Sequence, residues 1–529
     1  MAGSTDAWWT NEPAATRRES GAGVGLDRPN VLLLVMDTAR ARDVLGRPDV
    51  MPNLHRIAES GRALSNVFTT APWTLPSHAS MFTGQYTSDH GTHAGSKQFD
   101  PDVPPIAEVL HAHGYQTAAF SNNSWISADF GFDRGFESLH PGWALFDSEV
   151  DLISVAKAED GPIDQLLGIA DQLSLSELPA TLGNLLHAKL LRHRYDDGAW
   201  LTNWRIKRWL DRDRDEYRPF FAFVNYLEPH LEYRPPWGYR EAFLPDGVDW
   251  ETAREVNQDA WAYMAGAEEM GEREFDVLHG LYRSELHYLD RRIGDCYDAL
   301  ADRGELENTV VIVVGDHGEN VGDHGLMDHQ YSLHDTLMHV PLVCHTPKGI
   351  TMPGTGGGFR ELRDLYPTIL DLAGISPPQD PSISDRSMLD PRDRDYVIGE
   401  YVHPQPDVET LRERVGDVQT DLERFDRGLR CLRTADWKFV EGTDGSEELY
   451  RVPDPREAIE RTAPRATVRV PDASAEIRAP EAPEDVRDRL RERLHDERGW
   501  MARSEAQEPA GESDVEAATQ KRLEDLGYI

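Results

Sequence analysis

Apolar and polar positions follow two different periods along this chain, and the switches between them predict its elements. "NVLLLVM" (30–36) is an unbroken apolar run of strand length with Asp37 as its first polar residue. A run without alternation fits a parallel strand buried on both faces. "PFFAFVNYLEPH" and "TVVIVVGDHGE" have the same form, and each ends in polar groups, His230 in the first and Asp316-His317 in the second. "QTAAFSNN" and "VPLVCHTP" read as further strands. Between them, apolar residues recur three and four apart. "MPNLHRIAESG", "IAEVLHAHGY" and the long "EFDVLHGLYRSELHYLDRRIGDCYDALADRG" therefore predict helices. Strands alternating with helices predict a mostly parallel sheet with helices on both faces. In such sheets ligands gather outside the carboxyl ends of the strands. Asp37, His230, Asp316 and His317 all follow strand ends, so the topology predicts that they converge.

The pattern changes after about residue 380. "RELRDLYPTILDLAGISPP" is a helix stopped by Gly374, and "YVIGEYV", "LRCLRTADWKFV" and "EELYRV" read as shorter, half-exposed strands. The expected fold class is α/β, with a mostly parallel central sheet flanked by helices and a smaller C-terminal α+β antiparallel subdomain. The expected divisions are a mobile N-terminal lead-in (1–28), a catalytic α/β domain (29–380) carrying a helical insertion (145–215), an antiparallel subdomain (381–465), and an acidic loop with a terminal helix (466–529). No internal repeat is visible.

Composition narrows the partners. The chain has 529 residues and a formal net charge of -39, spread along its length, with lysine scarce beside arginine. Such a surface disfavours non-specific binding to nucleic acid and to anionic membranes and suits a salt-rich medium. No apolar run is long enough to span a membrane. Cys296, Cys344 and Cys431 lie far apart without metal-site spacing, which fits free thiols and a cytoplasmic location. Nothing in the sequence reports the oligomeric state.

Candidate chemistry enters with "APWTLPSHASMFTG" (71–84). Pro76 and Gly84 bound a predicted helix, and Thr74 stands at its start. A hydroxyl there can cap the helix, or it can face an anion held at the same N-terminus. Two aspartates, one histidine and this hydroxyl make a hard, oxygen-rich donor set. It suits one divalent ion, with Ca, Mg, Mn and Zn all open. Each piece alone has an ordinary reading as a turn, a cap or a polar loop, and the order in which they occur together is the stronger signal. Asp323, His324 and His334 also offer ligands for a second ion, although no spacing recruits them.

"PNVLLLVMDTAR", "TLPSHASMFTG", "FFAFVNYLEPHLEY", "GDHGENVGDHGLMDH", "DLYPTILDLAGI" and "LRTADWKFVEGTDGSEELY" together resemble the sulfatase family of the alkaline-phosphatase superfamily, from about Pro29 to about Pro455. The resemblance implies a metal held by Asp37, Asp316 and His317, with Thr74 beside it as ligand and nucleophile. It implies that His230 contacts the anionic group or leaving group of the substrate, and that His329 stands where many members place a lysine. The departures are as informative. Sulfatases usually carry a Cys or Ser that is oxidised to formylglycine, and Thr74 cannot yield that aldehyde. His78 replaces the usual Arg, and "SNNSWI", with Asn123, replaces the Gly-Lys-Trp-His signature. His78, Asn123, His230 and His329 are thus the candidate substrate contacts. The expected activity is metal-dependent hydrolysis or transfer of phosphate mono- or diesters through a covalent Thr74 intermediate, with His230 or His329 handling the proton. Sulfate-ester hydrolysis without formylglycine is the close alternative, and anion or glycan binding without turnover is a third.

Overall fold

The computed structural model describes residues 28–142, 196–350, 358–390, 392, 394–416, 420–452, 476–499, 519, 520 and 523. Up to residue 361 these form strands β1 (Asn30–Met36), β2 (Arg62–Phe68), β3 (Gln116–Ser121), β4 (Ser138–Pro141), β5 (Phe220–Tyr226), β6 (Thr309–Gly315), β7 (Asn320–Val321), β8 (Met327–Asp328), β9 (His339–His345) and β10 (Arg360–Glu361). Eight of them make one sheet in the order β10-β2-β9-β6-β1-β5-β3-β4. The three unbroken apolar runs, β1, β5 and β6, lie side by side at its centre and are buried along their whole length. All their pairings with one another are parallel. Met36 stands opposite both Tyr226 and Gly315, so Asp37 and Asp316 leave the sheet as neighbours. β9 is the exception, running antiparallel to both β2 and β6. The chain returns from β6 to β9 through the small β7-β8 ribbon, with no crossover helix of the kind a parallel return needs.

Helix α1 (Thr74–Thr83) is buried along its entire length and ends at Gly84, whose φ of 75° is left-handed and whose N–H donates to the Ser80 carbonyl. Helix α2 (Glu272–Asp302) covers the sheet with Leu278, Leu281, Leu286, Leu289, Ile293 and Leu300, the face its periodicity predicts. Its start is fixed by Glu274, whose carboxylate accepts the Gly271 N–H at 2.8 Å.

The second sheet is antiparallel throughout. It contains β11 (Tyr396–Tyr401), β12 (Leu429–Thr434), β13 (Trp437–Gly442), β14 (Glu447–Arg451) and β15 (Ile477–Arg478). Helix α3 (Glu484–Arg498) packs Val486, Leu490 and Leu494 against Ile398, Leu432, Phe439 and Leu449 of this sheet. The sequence reading places acidic loop there, because three apolar residues among twelve mostly charged ones make only a narrow stripe. The expected lead-in, apart from Arg28, lies outside the described residues, as does most of the expected insertion; the helix Ala199–Arg208 belongs to the described remainder. Most of the expected terminal helix also lies outside them. No helix among the described residues is long and apolar enough to cross a membrane.

Candidate active site

Asp37, Asp316 and His317 converge as the topology predicts, and all three are fully buried. Their donor atoms lie within 4.8 Å of one another. His317 Nδ1 is 2.9 Å from the Gly318 carbonyl oxygen, which requires the proton on Nδ1 and leaves the Nε2 lone pair facing the cluster. Nε2 is 3.5 Å from both Asp37 Oδ1 and Asp316 Oδ2. Those two oxygens have no hydrogen-bond partner among the described residues, whereas the other oxygen of each carboxylate is held. Asp316 Oδ1 accepts the N–H of Thr38 (3.2 Å) and of His317 (2.8 Å). Asp37 Oδ2 accepts from Asn123 Nδ2 at 2.6 Å. Gly318 is required because a Cβ there would lie 2.0 Å from the Thr336 carbonyl oxygen.

The turn after β1 is held with equal care. Thr38 has a left-handed φ of 55°, an uncommon state for a β-branched residue. Tyr282, reaching up from α2, donates to the Thr38 carbonyl at 2.8 Å and accepts the Arg40 N–H at 2.9 Å.

Burial pushes the Asp37 carboxyl up to about 7. Burial and the neighbouring Asp37 charge push Asp316 up as well, and burial drives His317 down. Two orphaned carboxylate oxygens, an imidazole lone pair and a hydroxyl around one centre are what a divalent cation needs, and such a cation would relieve the repulsion that raises both carboxyls. The residues present fit the ion.

Thr74 does not cap its helix. The cap position is Trp73, and Thr74 is the first helical residue. Its Oγ1 is 3.3 Å from His317 Nε2 and accepts from Asn123 Nδ2 at 3.3 Å. Asn123 thus touches both Thr74 and Asp37, and it is itself fixed by donating N–H groups from elsewhere: Trp125 N–H donates to its Oδ1 at 3.0 Å. His78 lies one helical turn behind. Its Nδ1 donates to the Thr74 carbonyl at 2.8 Å, its ring meets Phe223 and Phe82 edge-on, and burial pushes it down to about 4. Its Nδ1 is also 3.6 Å from Asp316 Oδ2. His78 therefore sits beneath the cluster against the sheet, and its contacts brace Thr74 from behind.

His230 and His329 come from separate loops to the same place. Their ring centres are 5.2 Å apart, and His329 is 4.6 Å from the His317 ring. Burial and the His329 charge push His230 down to about 4. His329 moves the other way. Burial opposes its charge, but Asp328, 2.5 Å from its Nδ1, and Glu319, 3.5 Å away, overcome that and hold it protonated. Burial pushes Glu319 up to about 7. The sequence reading missed Glu319, Asp328 and Tyr282. Glu319 follows His317 by two residues and Asp328 precedes His329, and this adjacency was the available signal. Asp323 is no ligand: its carboxylate is taken by Arg40 at 2.8 Å.

A family model described as Sulfatase matches residues 29–375 of the chain. An arylsulfatase of Clostridium perfringens is 25% identical over 406 residues, 71% of this chain and 82% of that protein. A protein solved in complex with its substrate D-glucosamine-2-N,6-O-disulfate superposes with a TM-score of 0.59 at 17% identity, covering 92% of this chain and 100% of the other. The phosphonate monoester hydrolase of Agrobacterium radiobacter superposes with a TM-score of 0.58 at 19% identity, covering 89% of this chain and 95% of the other.

Proposed function

The chain belongs to the sulfatase family, and from that premise we propose that it cleaves phosphate esters, mono- or diesters, with Thr74 as nucleophile. As a family member it is a metal-dependent ester hydrolase. The observation that carries the finer reading is the Thr74 hydroxyl, fully buried and aimed at the donor cluster rather than at its own helix. Asp37, Asp316, His317 and Thr74 would hold one divalent ion. When bound, such an ion lowers the hydroxyl pKa and neutralises charge developing on the ester oxygens.

The chain's own residues supply the rest. Asn123 donates to Thr74 Oγ1 and orients its lone pairs. Thr74 gives up its hydroxyl proton to solvent and attacks phosphorus as the alkoxide, forming the Oγ1–P bond as the bond to the leaving oxygen breaks. His329, held as imidazolium, binds the anion and protonates the leaving oxygen. His230, held neutral, takes a proton from the water that then attacks phosphorus; the Oγ1–P bond breaks, Thr74 leaves as the alkoxide, and the proton passes from His230 to His329, whose ring centre is 5.2 Å away, which restores the starting state. In-line attack at phosphorus resolves a threonine ester without the aldehyde hydrate that formylglycine provides. The resemblance to an arylsulfatase supports a second reading, hydrolysis of sulfate esters at the same centre. The three free, buried cysteines support a cytoplasmic setting.

A panel of phosphate monoesters, phosphate diesters and aryl sulfates, assayed with defined divalent metals in high salt, tests the assignment. Phosphoesterase activity with a phosphate-sized adduct on Thr74 in acid-quenched enzyme is expected. Robust sulfate release with no phosphoesterase activity would overturn it in favour of the second reading.

A further inference from the structure

The His- and Asp-rich loop that follows His317 is not used up by the active site. His324 and His334 meet Glu476, which comes from the edge of the second sheet just before β15. The two imidazoles are stacked, with centres 3.8 Å apart and planes at 12°. His334 Nδ1 is 2.5 Å from Glu476 Oε2, and His324 Nε2 is 3.8 Å from the same oxygen. The three donor atoms lie within 4.8 Å of one another. The other carboxylate oxygen, Oε1, is occupied by the Lys438 ammonium and by the Asp335 N–H, so Oε2 is turned to the imidazoles and held there. His324 keeps a left-handed φ of 57° at this position, a costly conformation for a residue with a Cβ that persists where surrounding contacts impose it. His324 and His334 also line a cavity of about 530 Å³ shared with Tyr331, Arg427 and Tyr450, which gives solvent a path to the cluster.

We propose that His324, His334 and Glu476 form a second metal site, for zinc or a similar borderline transition ion, which joins the loop after His317 to the C-terminal sheet. Two nitrogens and one carboxylate oxygen suit zinc and are a poor set for calcium or magnesium, which prefer all-oxygen shells. Three protein donors leave a fourth position for water from the cavity. His334 Nδ1 and Glu476 Oε2 are already in direct contact, so an ion entering between them would take the place of a hydrogen bond. Lys438 is the outer partner that fixes the ligand carboxylate. Burial and the His334 ring push His324 down to about 4, so it is neutral and ready to coordinate near pH 7.

The test uses full-length protein carrying Asp37→Asn and Asp316→Asn, stripped with chelator and titrated with zinc chloride against a chromophoric chelator. One zinc per chain at micromolar or tighter affinity is expected in that background, with none after the further change His334→Ala or His324→Ala. Cobalt(II) in place of zinc should give visible d–d bands that disappear in the same variants. Zinc should also raise the melting temperature of the background protein and leave that of the His324→Ala form unmoved. Glu476→Gln is the gentler replacement should either alanine variant fail to fold. The proposal is overturned if the background protein binds no stoichiometric zinc, or if its zinc count is the same with and without His324 and His334.

Discussion

Two buried charge clusters in this molecule draw on the same two stretches of chain, residues 37–43 and 316–323, the first joined by Arg283 of α2, yet they behave in opposite ways. In the first, Arg40 pairs with Asp323 at 2.8 Å and with Asp43 at 3.3 Å, and Arg283 pairs with Asp43 at 2.8 Å. Charges match, and although burial pushes Asp43 up, the two guanidiniums win and bring it down to about 2. In the second, Asp37 and Asp316 face each other with no arginine or lysine partner among the described residues; His329 pulls both down but is itself engaged by Asp328 and Glu319, and burial still pushes Asp37 up to about 7. Burial is the same in both. What differs is whether the chain supplies the counter-charge. A cluster that is complete in itself holds the fold, and a cluster short of positive charge is built around something the polypeptide does not contain.

The largest effect expected from breaking this contrast is on turnover. If Thr74 is the nucleophile as proposed, Thr74→Ala should lower kcat/KM by about 10³-fold or more, because that role has no substitute. Its melting temperature should stay near that of wild type. Activity within tenfold of wild type would remove Thr74 from the mechanism.

Breaking the matched cluster should instead cost stability. Asp43→Ala takes the carboxylate from Arg283 and leaves buried Arg40 with Asp323 alone, and should destabilise by about 3 kcal/mol in chemical denaturation, with kcat per folded molecule preserved.

The unmatched cluster should respond with the opposite sign. In chelator-treated protein, Asp316→Asn removes one of two repelling carboxylates and should stabilise by about 1–3 kcal/mol. A loss of stability there would mean that the pair is already compensated.

The smallest effect sharpens the same point through pH. The Asp37 carboxyl is raised in the folded state, so the folded protein holds a proton that the unfolded chain has lost between pH 3.8 and about 7. Ion-free protein should therefore lose stability as pH rises through that window. Divalent-ion affinity should fall as pH drops below about 7, by roughly tenfold per unit for each proton displaced. Isothermal titration of the ion at pH 8, 7 and 6 reads this directly, and a flat affinity would show that no carboxyl titrates on binding.

Much of the fold was legible before any coordinates. β1, β5 and β6 are runs that no other element accommodates as well, and the α2 periodicity persists over 31 residues. α3 was not legible, since its three apolar residues acquire meaning only against Leu432 and Phe439 of a sheet assembled from distant strands. The active site divides in the same way. Asp37, Asp316 and His317 could be placed because they follow strand ends. Glu319 and Asp328 had only their adjacency to His317 and His329 to mark them, since a carboxylate in a polar loop looks the same whether it faces water or a buried imidazole.

The residue types, their order and the strands they follow were determined by sequence alone, because a central parallel strand requires a continuous apolar run and leaves its first polar residue at the rim. The tertiary structure decided the protonation and the partners. It turned Thr74 away from capping and toward His317, pushed His329 up beside Asp328 and Glu319 and His230 down by burial, and gave Asp323 to Arg40. The reason is that charge state depends on burial and on neighbours within a few ångströms, and those neighbours come from parts of the chain that sequence keeps hundreds of residues apart.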